Sequence, residues 1–367
     1  MPEAVPYEVL FITTPTRPLP VKNRVLRRGN EFPIHDAGGN GGTTGVGTFL
    51  PHPTDFAVRL RNARPMSRSL YGLANALTEE NPYVQYFRKY WAIPRGAVCL
   101  MPHHYPVGNG KYKVERHALL LFCNRTSFQD YLINNQQTLY KHPYGDRIAE
   151  IYYDHCGSSE CRSESHNCFF KDKFGREIYP NEMLSKRKLI ERTVALAHRN
   201  GRTVMCHGQR AFYPFQCGMA DYWFPGEQHT VAVKRNIWCY TDEVPDEIYQ
   251  SEYNRDILGI GVVILPAVGY HADKKLAYRT PEPTEAMLSM LALNDIESSN
   301  FYSNSNVMVK FWDIMEKYKV NSPETVCYLY NKNNGIASSN PAVRVTYYKC
   351  PDNRYLLILS NRSSQAQ

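Results

Sequence analysis

The chain has 367 residues, 43% of them hydrophobic and 21% charged, which is a globular composition and excludes a largely disordered or collagen-like protein. Its formal charge of +8 comes with no long basic run and no recognisable nucleic-acid module, so nucleic acid is not an expected partner. No run of about 18 apolar residues occurs, so no membrane span is expected, and the ten cysteines neither demand nor exclude an oxidising compartment.

The first fifteen residues, MPEAVPYEVLFITTP, lack the basic and apolar regions of a signal peptide. The compartment is therefore left open, with secretion or a periplasmic location expected only if the natural N-terminus lies further upstream. Residues 8–14 read as a buried strand stopped by Pro15. A long Pro- and Gly-rich stretch follows. Its glycine run, Gly38 to Gly47, lacks the GK[ST] ending of a phosphate loop and reads as an irregular loop over a barrel mouth.

Residues 83–91 have helical spacing, and 97–101 form a short strand closing on Pro102-His103-His104. Residues 117–123 are a second apolar strand, and 128–140 a helix with Ser127 at its cap. Residues 147–153 are a strand ending in Asp154. Residues 185–200 form the clearest helix: Leu189, Ile190, Val194, Leu196 and Ala197 share a face, Ser185 caps it and Gly201 ends it. Lys186-Arg187-Lys188 at its start reads as a solvated face. The helix feeds the strand 203–206, which ends at His207, a strand–helix–strand unit of parallel-crossover size.

Met219 to Phe224 then runs into Pro225-Gly226-Glu227. Residues 237–240 are a weaker strand, 247–256 a helix, and 261–265 an apolar strand running out to Gly269-Tyr270-His271. Helices at 283–293 and 307–319 close the series. Beyond Ser322, TVCYLYN, VRVTYYKC and RYLLILSN are β-rich segments parted by turn signals, without a clear final strand.

Strand candidates near residues 9, 98, 119, 150, 204, 221, 238 and 262 alternate with helices. The fold class expected is α/β, a (β/α)8 TIM-type barrel with long loops over 1–320, plus a small C-terminal antiparallel β domain at 321–367. A doubly wound sheet is the alternative, but the first strand lacks a Gly-rich dinucleotide fingerprint.

Several strands end on residues able to do chemistry: His103 and His104, Asp154, His207, Asp221 with Glu227, and Tyr270 with His271. Barrel enzymes draw catalytic groups from such C-terminal strand ends. Two carboxylates at the mouth suit glycoside hydrolysis, with Asp154 as nucleophile or charge stabiliser and Glu227 as general acid/base; Asp221 competes with Glu227. Tyr153 and Trp223 stand beside these acids as faces for a sugar ring, and His207 and His271 as hydroxyl binders. Each aromatic also has an ordinary packing reading, and each acid an ordinary ion-pair reading. Cys156, Cys161, His166 and Cys168 form a loop set that fits either a structural zinc or a disulfide with a free cysteine; either would brace the loop after Asp154. No cofactor is required for the expected catalysis.

TTPTRPLP, IYYDHC with its Cys/His loop, the FPGE segment and the β-rich tail together resemble the glycoside-hydrolase-like barrel proteins of bacteria, distantly related to the N-acetyl-β-galactosaminidase barrels. The YYDHC segment is also similar to the nucleophile segment of retaining α-galactosidases, with Tyr152 where those enzymes carry lysine. The resemblance implies a carbohydrate substrate and glycosidase activity. The galactosaminidases' adjacent Asp-Glu pair is not carried onto Asp242-Glu243 or Asp246-Glu247, because acids are expected at helix starts. Two other classes compete. A non-catalytic carbohydrate-binding barrel would use the acids as acceptors, and a metal-dependent hydrolase would use His103, His104, His207 and Asp154.

Overall fold

The computed structural model describes residues 65–362, except 67, 80, 109–110, 158–159, 180, 209–211, 333 and 337; at 68, 94–99, 101–108, 111–115 and 117 it describes the backbone only. The expected strand near residue 9, the TTPTRPLP segment and the glycine run lie outside the described residues.

Strand β1 (Arg68–Leu73) leads through β2 (Ala76–Thr78) and the helix Pro82–Trp91 into a long hairpin, β3 (Ala92–Gly108) and β4 (Lys111–Phe122). These last two were expected as separate barrel strands. They pair antiparallel instead, with β2 on the other side of β4. The sequence carries the reason: Asn-Gly stands between the paired Gly108 and Lys111, and that dipeptide is a strong hairpin signal. His103 and His104 consequently sit mid-strand opposite Glu115 and Val114, not at a strand's C-terminal end.

After the helix Phe128–Lys141 comes β5 (Ile148–Asp154), then a long loop holding the two-residue pair β6 (Phe170–Lys171) and β7 (Glu177–Ile178). The helix Met183–Arg199 returns the chain to β8 (Thr203–Cys206), followed by β9 (Tyr222–Trp223) and β10 (Gly261–Ile264). The helix Glu282–Leu293 precedes β11 (Glu297–Ser298), and the helix Ser305–Lys317 closes this part. Strands β1, β5, β8, β9, β10 and β11 form one parallel sheet in chain order. Such sequential order has no switch point and is the arrangement of a barrel wall rather than of a doubly wound sheet. Among the described residues six strands are paired, and no pairing joins β1 to β11, so the expected closed eight-stranded barrel is not formed by them.

The period-2 alternation of the parallel strands separates two cores. Tyr71, Leu73, Tyr152, Met205, Tyr222, Phe224, Val263 and Leu265 face inward, where Ala76 and Leu119 of the antiparallel sheet meet them. Their alternates, including Ile151, Tyr153, Val204, Cys206, Trp223 and Ile264, face the helices. Each fully buried side chain of this size contributes roughly 1.5–3 kcal/mol. The helix Met183–Arg199 supplies Leu189, Ile190, Val194 and Ala197 to that outer core, and ends as expected at Gly201, whose φ is +67°. It begins two residues before Ser185, whose hydroxyl turns back to the Glu182 carbonyl. Ser127 makes no capping bond; it accepts from the Trp91 indole instead.

The stretch expected as a strand at 237–240 is helical at Cys239–Asp242, and the helix expected at 247–256 is split into Asp246–Gln250 and Arg255–Leu258. At the C-terminal side β12 (Val326–Tyr328), β13 (Val343–Lys349) and β14 (Tyr355–Asn361) form a small antiparallel sheet. Among the described residues the segment RYLLILSN supplies its last strand, from Tyr355 to Asn361. Thr346 anchors it to the helix before β11 through the Leu293 carbonyl at 2.6 Å.

Candidate active site

The C-terminal ends of four neighbouring parallel strands converge. Asp154 ends β5, His207 follows β8, Glu227 lies beyond β9, and Tyr270 beyond β10. Strand parity puts Asp154 on the face of Tyr152, and His207 on the face of Met205, so both turn inward. Two sharp backbone features then aim the acids. His155 adopts φ +57°, which bends the chain so that its own N–H donates to Asp154 Oδ1 at 2.6 Å. Gly226 adopts φ +136°, and a Cβ there would stand 2.0 Å from the Leu265 carbonyl oxygen. Only glycine lets this turn pack against β10 and present Glu227.

His207 lies between the two carboxylates. Its Nε2 is 3.1 Å from Glu227 Oε2 and 3.9 Å from Asp154 Oδ1, while Nδ1 bonds the Phe224 carbonyl. Both acids therefore reach one nitrogen, and their nearest oxygens stand no more than about 7 Å apart. Tyr270 donates to Glu227 Oε1 at 2.8 Å, and Tyr71 to Asp154 Oδ2 at 2.8 Å. The imidazole is 2% exposed, whereas the Asp154 and Glu227 side chains are 19% and 32% exposed. Solvent or a ligand thus reaches the carboxylates, with the histidine as the floor.

Burial alone would disfavour a charged His207. The Glu227 hydrogen bond, the charges of Asp154 and Glu227 and the Phe224 carbonyl outweigh it and lift His207 to about 9. The same hydrogen bond, opposed by burial but helped by the imidazolium charge and Tyr270, holds Glu227 below the usual carboxylate range. At neutral pH the site holds an imidazolium hydrogen-bonded to the Glu227 carboxylate, with Asp154 on its other side. Tyr152, packed edge-on to His207 with ring centroids 6.3 Å apart, is pushed up by burial and by the carboxylates beside it, so its hydroxyl stays protonated.

The remaining expected residues are placed elsewhere. Asp221 precedes β9, at the opposite end of the sheet, where His198 Nε2 approaches both its oxygens (3.0 and 3.1 Å) and the Val204 N–H donates to it. It braces that end. Tyr153 faces the helices with its hydroxyl 3.5 Å from Thr193, and Trp223 is 1% exposed beneath Gly208 and Phe212. Neither offers a ring to a ligand in this arrangement; parity gives that inward position to Tyr152 and Phe224. His271 accepts from the Asp273 N–H, and the side chains of His103 and His104 are not described. The adjacent pairs Asp242-Glu243 and Asp246-Glu247 contribute bonds away from the strand ends: Glu243 pairs with Arg235, and Asp246 with Arg344.

The sequence reading missed Tyr71, whose strand lies in the short apolar run SLYGLA, and Lys186. Lys186 is not solvated: it is 1% exposed and donates to the His155 carbonyl at 3.1 Å and to that of Gly157. It ties down the loop immediately after Asp154. Arg187 beside it pairs with Glu191 and bonds the Phe215 carbonyl.

The cysteine set also differs. Cys161, His166 and Cys168 are joined by Cys123, from the residue after β4, with their ligand atoms within 4.8 Å of one another. Cys156 is not part of that group. Its position two residues after Asp154 turns it under the sheet, where its thiol donates to the Tyr153 carbonyl and lies close to Cys206 and Cys217. All of these thiols are free.

No protein-family model matches the chain, and no curated protein matches it. Among solved structures it is similar to a variant of the GH36 alpha-galactosidase AgaA from Geobacillus stearothermophilus in complex with 1-deoxygalactonojirimycin, at 11% identity and TM-score 0.40, over 79% of this chain and 36% of that one. It is also similar to the GH36 alpha-galactosidase AgaB of the same organism, at 10% identity and TM-score 0.43, over 84% of this chain and 40% of the other. The chain thus spans well under half the length of either enzyme.

Proposed function

We propose that the chain is a glycoside hydrolase in which Asp154 and Glu227 act on opposite sides of a glycosidic bond. The observation that carries this reading is the carboxylate pair at the ends of β5 and β9, both within reach of His207 Nε2. Asp154 takes the nucleophile's role: the His155 N–H and the Tyr71 hydroxyl fix its two oxygens. Glu227 takes the acid/base role, although it rests ionised. Its proton is stored on His207, one hydrogen bond away, and moves to Glu227 as negative charge develops on the leaving oxygen. A separation of at most about 7 Å admits the double-displacement, retaining course, which is the one that gives Asp154 a nucleophile's role.

The test is turnover of a panel of 4-nitrophenyl glycosides by the wild type, Asp154→Asn and Glu227→Gln, with folding checked by circular dichroism. Loss of at least about a thousandfold in kcat/KM for Asp154→Asn supports the assignment. Undiminished rates in both variants overturn it. One observation favours a second reading: Glu227 is held below the usual carboxylate range, so it also suits a binding site that only accepts hydrogen bonds from sugar hydroxyls. Saturable sugar binding by calorimetry, with no turnover by the wild type, would select that reading.

A further inference from the structure

Cys123, Cys161, His166 and Cys168 come from two separate parts of the fold. Cys123 follows β4, on the antiparallel sheet, with its N–H on the Trp91 carbonyl. Cys161 and Cys168 flank the short turn Glu164–His166 in the long loop after Asp154. The three cysteines are 0–1% exposed and packed with Ile93 and Leu121.

The distances select among the ways of satisfying such a group. Cys123 Sγ and Cys168 Sγ are 3.6 Å apart, and Cys161 Sγ is 3.2 Å from His166 Nδ1. A disulfide would bring two sulfurs to about 2.05 Å. Two thiolates on one zinc, at a Zn–S bond of about 2.3 Å, stand about 3.8 Å apart at the edge of a tetrahedron. The observed spacing is the second of these, and the donor set, three thiolates and one imidazole, fills a tetrahedron without leaving an open position. Soft sulfur donors of this kind select zinc over the oxygen-seeking cations.

We infer that Cys123, Cys161, His166 and Cys168 form a structural zinc site that staples the loop after Asp154 to the end of β4. The closed donor set leaves no coordination site for water or substrate, so the metal acts on architecture and not on chemistry. The need for it is visible locally. Among the described residues of 155–182 the regular structure is the turn Glu164–His166, the two-residue strands β6 and β7 and an isolated bridge between Glu160 and Asn181. A loop of that length has little enthalpy of its own to offset its closure entropy. Lys186 fixes its first turn from beneath, and the zinc fixes its middle. This inference stands apart from the catalytic proposal, because a binding protein with the same loop would need the same brace.

The test is elemental analysis of the intact chain purified without added metal or chelator. One zinc per chain is expected. Cobalt substitution should give the thiolate charge-transfer and tetrahedral d–d bands of a sulfur-rich site. His166→Ala and Cys161→Ser should each retain well under a tenth of the zinc after dialysis, while Cys327→Ser, outside the cluster, keeps it all. Because the wild-type metal content and cobalt spectrum are read first, a variant that fails to fold does not decide the matter. A wild-type chain without bound zinc, zinc retained in full by folded His166→Ala and Cys161→Ser, or a Cys123–Cys168 disulfide found by non-reducing peptide mapping, would each overturn the inference.

Discussion

His207 is the residue on which the site's electrostatics turn. Its position was legible from the sequence, since a histidine directly after the strand TVMC stands at a strand end. Its charge was not. That depends on two carboxylates from other strands, which bring it to about 9 against burial. The consequence for stability has a definite sign. A histidine whose folded value is raised from 6.5 to about 9 contributes its full stabilisation below 6.5, and loses it as pH rises to about 9. The amount is on the order of 3 kcal/mol. Urea denaturation of the wild type should show that decline across this window, and His207→Gln should lack it. Equal slopes for the two proteins would mean that His207 is not charged in the fold. Glu227 gives the acid counterpart: its lowered value contributes above 4.5 and is lost as pH falls further. Both report the same hydrogen bond, so the two contributions do not add.

At the scale of elements, the turns after β5 and β9 do more than the strands themselves. Strand parity alone places Asp154 and His207 inward, and it could have decided between Tyr152 and Tyr153 from sequence. Its place beside the acids suggested Trp223 as a face for a sugar ring, but Trp223 packs against the helices and Phe224 on the inner face. FPGE was recognised as a segment, but that its glycine is required follows only from the approach of β10. Gly226→Ala should cost at least about 2 kcal/mol in chemical denaturation, from a strongly positive φ and overpacking on Leu265. It should also displace Glu227. Gly157→Ala, where nothing lies within 4 Å of the added Cβ, is the matched control and should change stability by less than about 0.5 kcal/mol. Equal costs for the two substitutions would refute the packing argument. The cysteine cluster shows the opposite limit: C-x4-H-x-C was visible in the loop, but Cys123 comes from another sheet and no spacing rule connects it to Cys161.

At the scale of the molecule, the sequence conveyed the alternation of parallel strands and helices and the antiparallel tail. Strand count misled, because apolar runs near 98 and 119 look alike whether they pair with each other or take places in a barrel wall. The two-residue β9 and β11 have too few residues to show any periodicity. What survives is the rule that chemistry collects where parallel strands end, and it is that rule which brings Asp154, His207, Glu227 and Tyr270 together. The most direct measurement takes whichever glycoside the chain turns over, presents its 2-deoxy-2-fluoro analogue, and maps the labelled peptide by mass spectrometry. One covalent sugar is expected, on Asp154. A label on another residue, or steady turnover of the parent glycoside with no label at all, would contradict it.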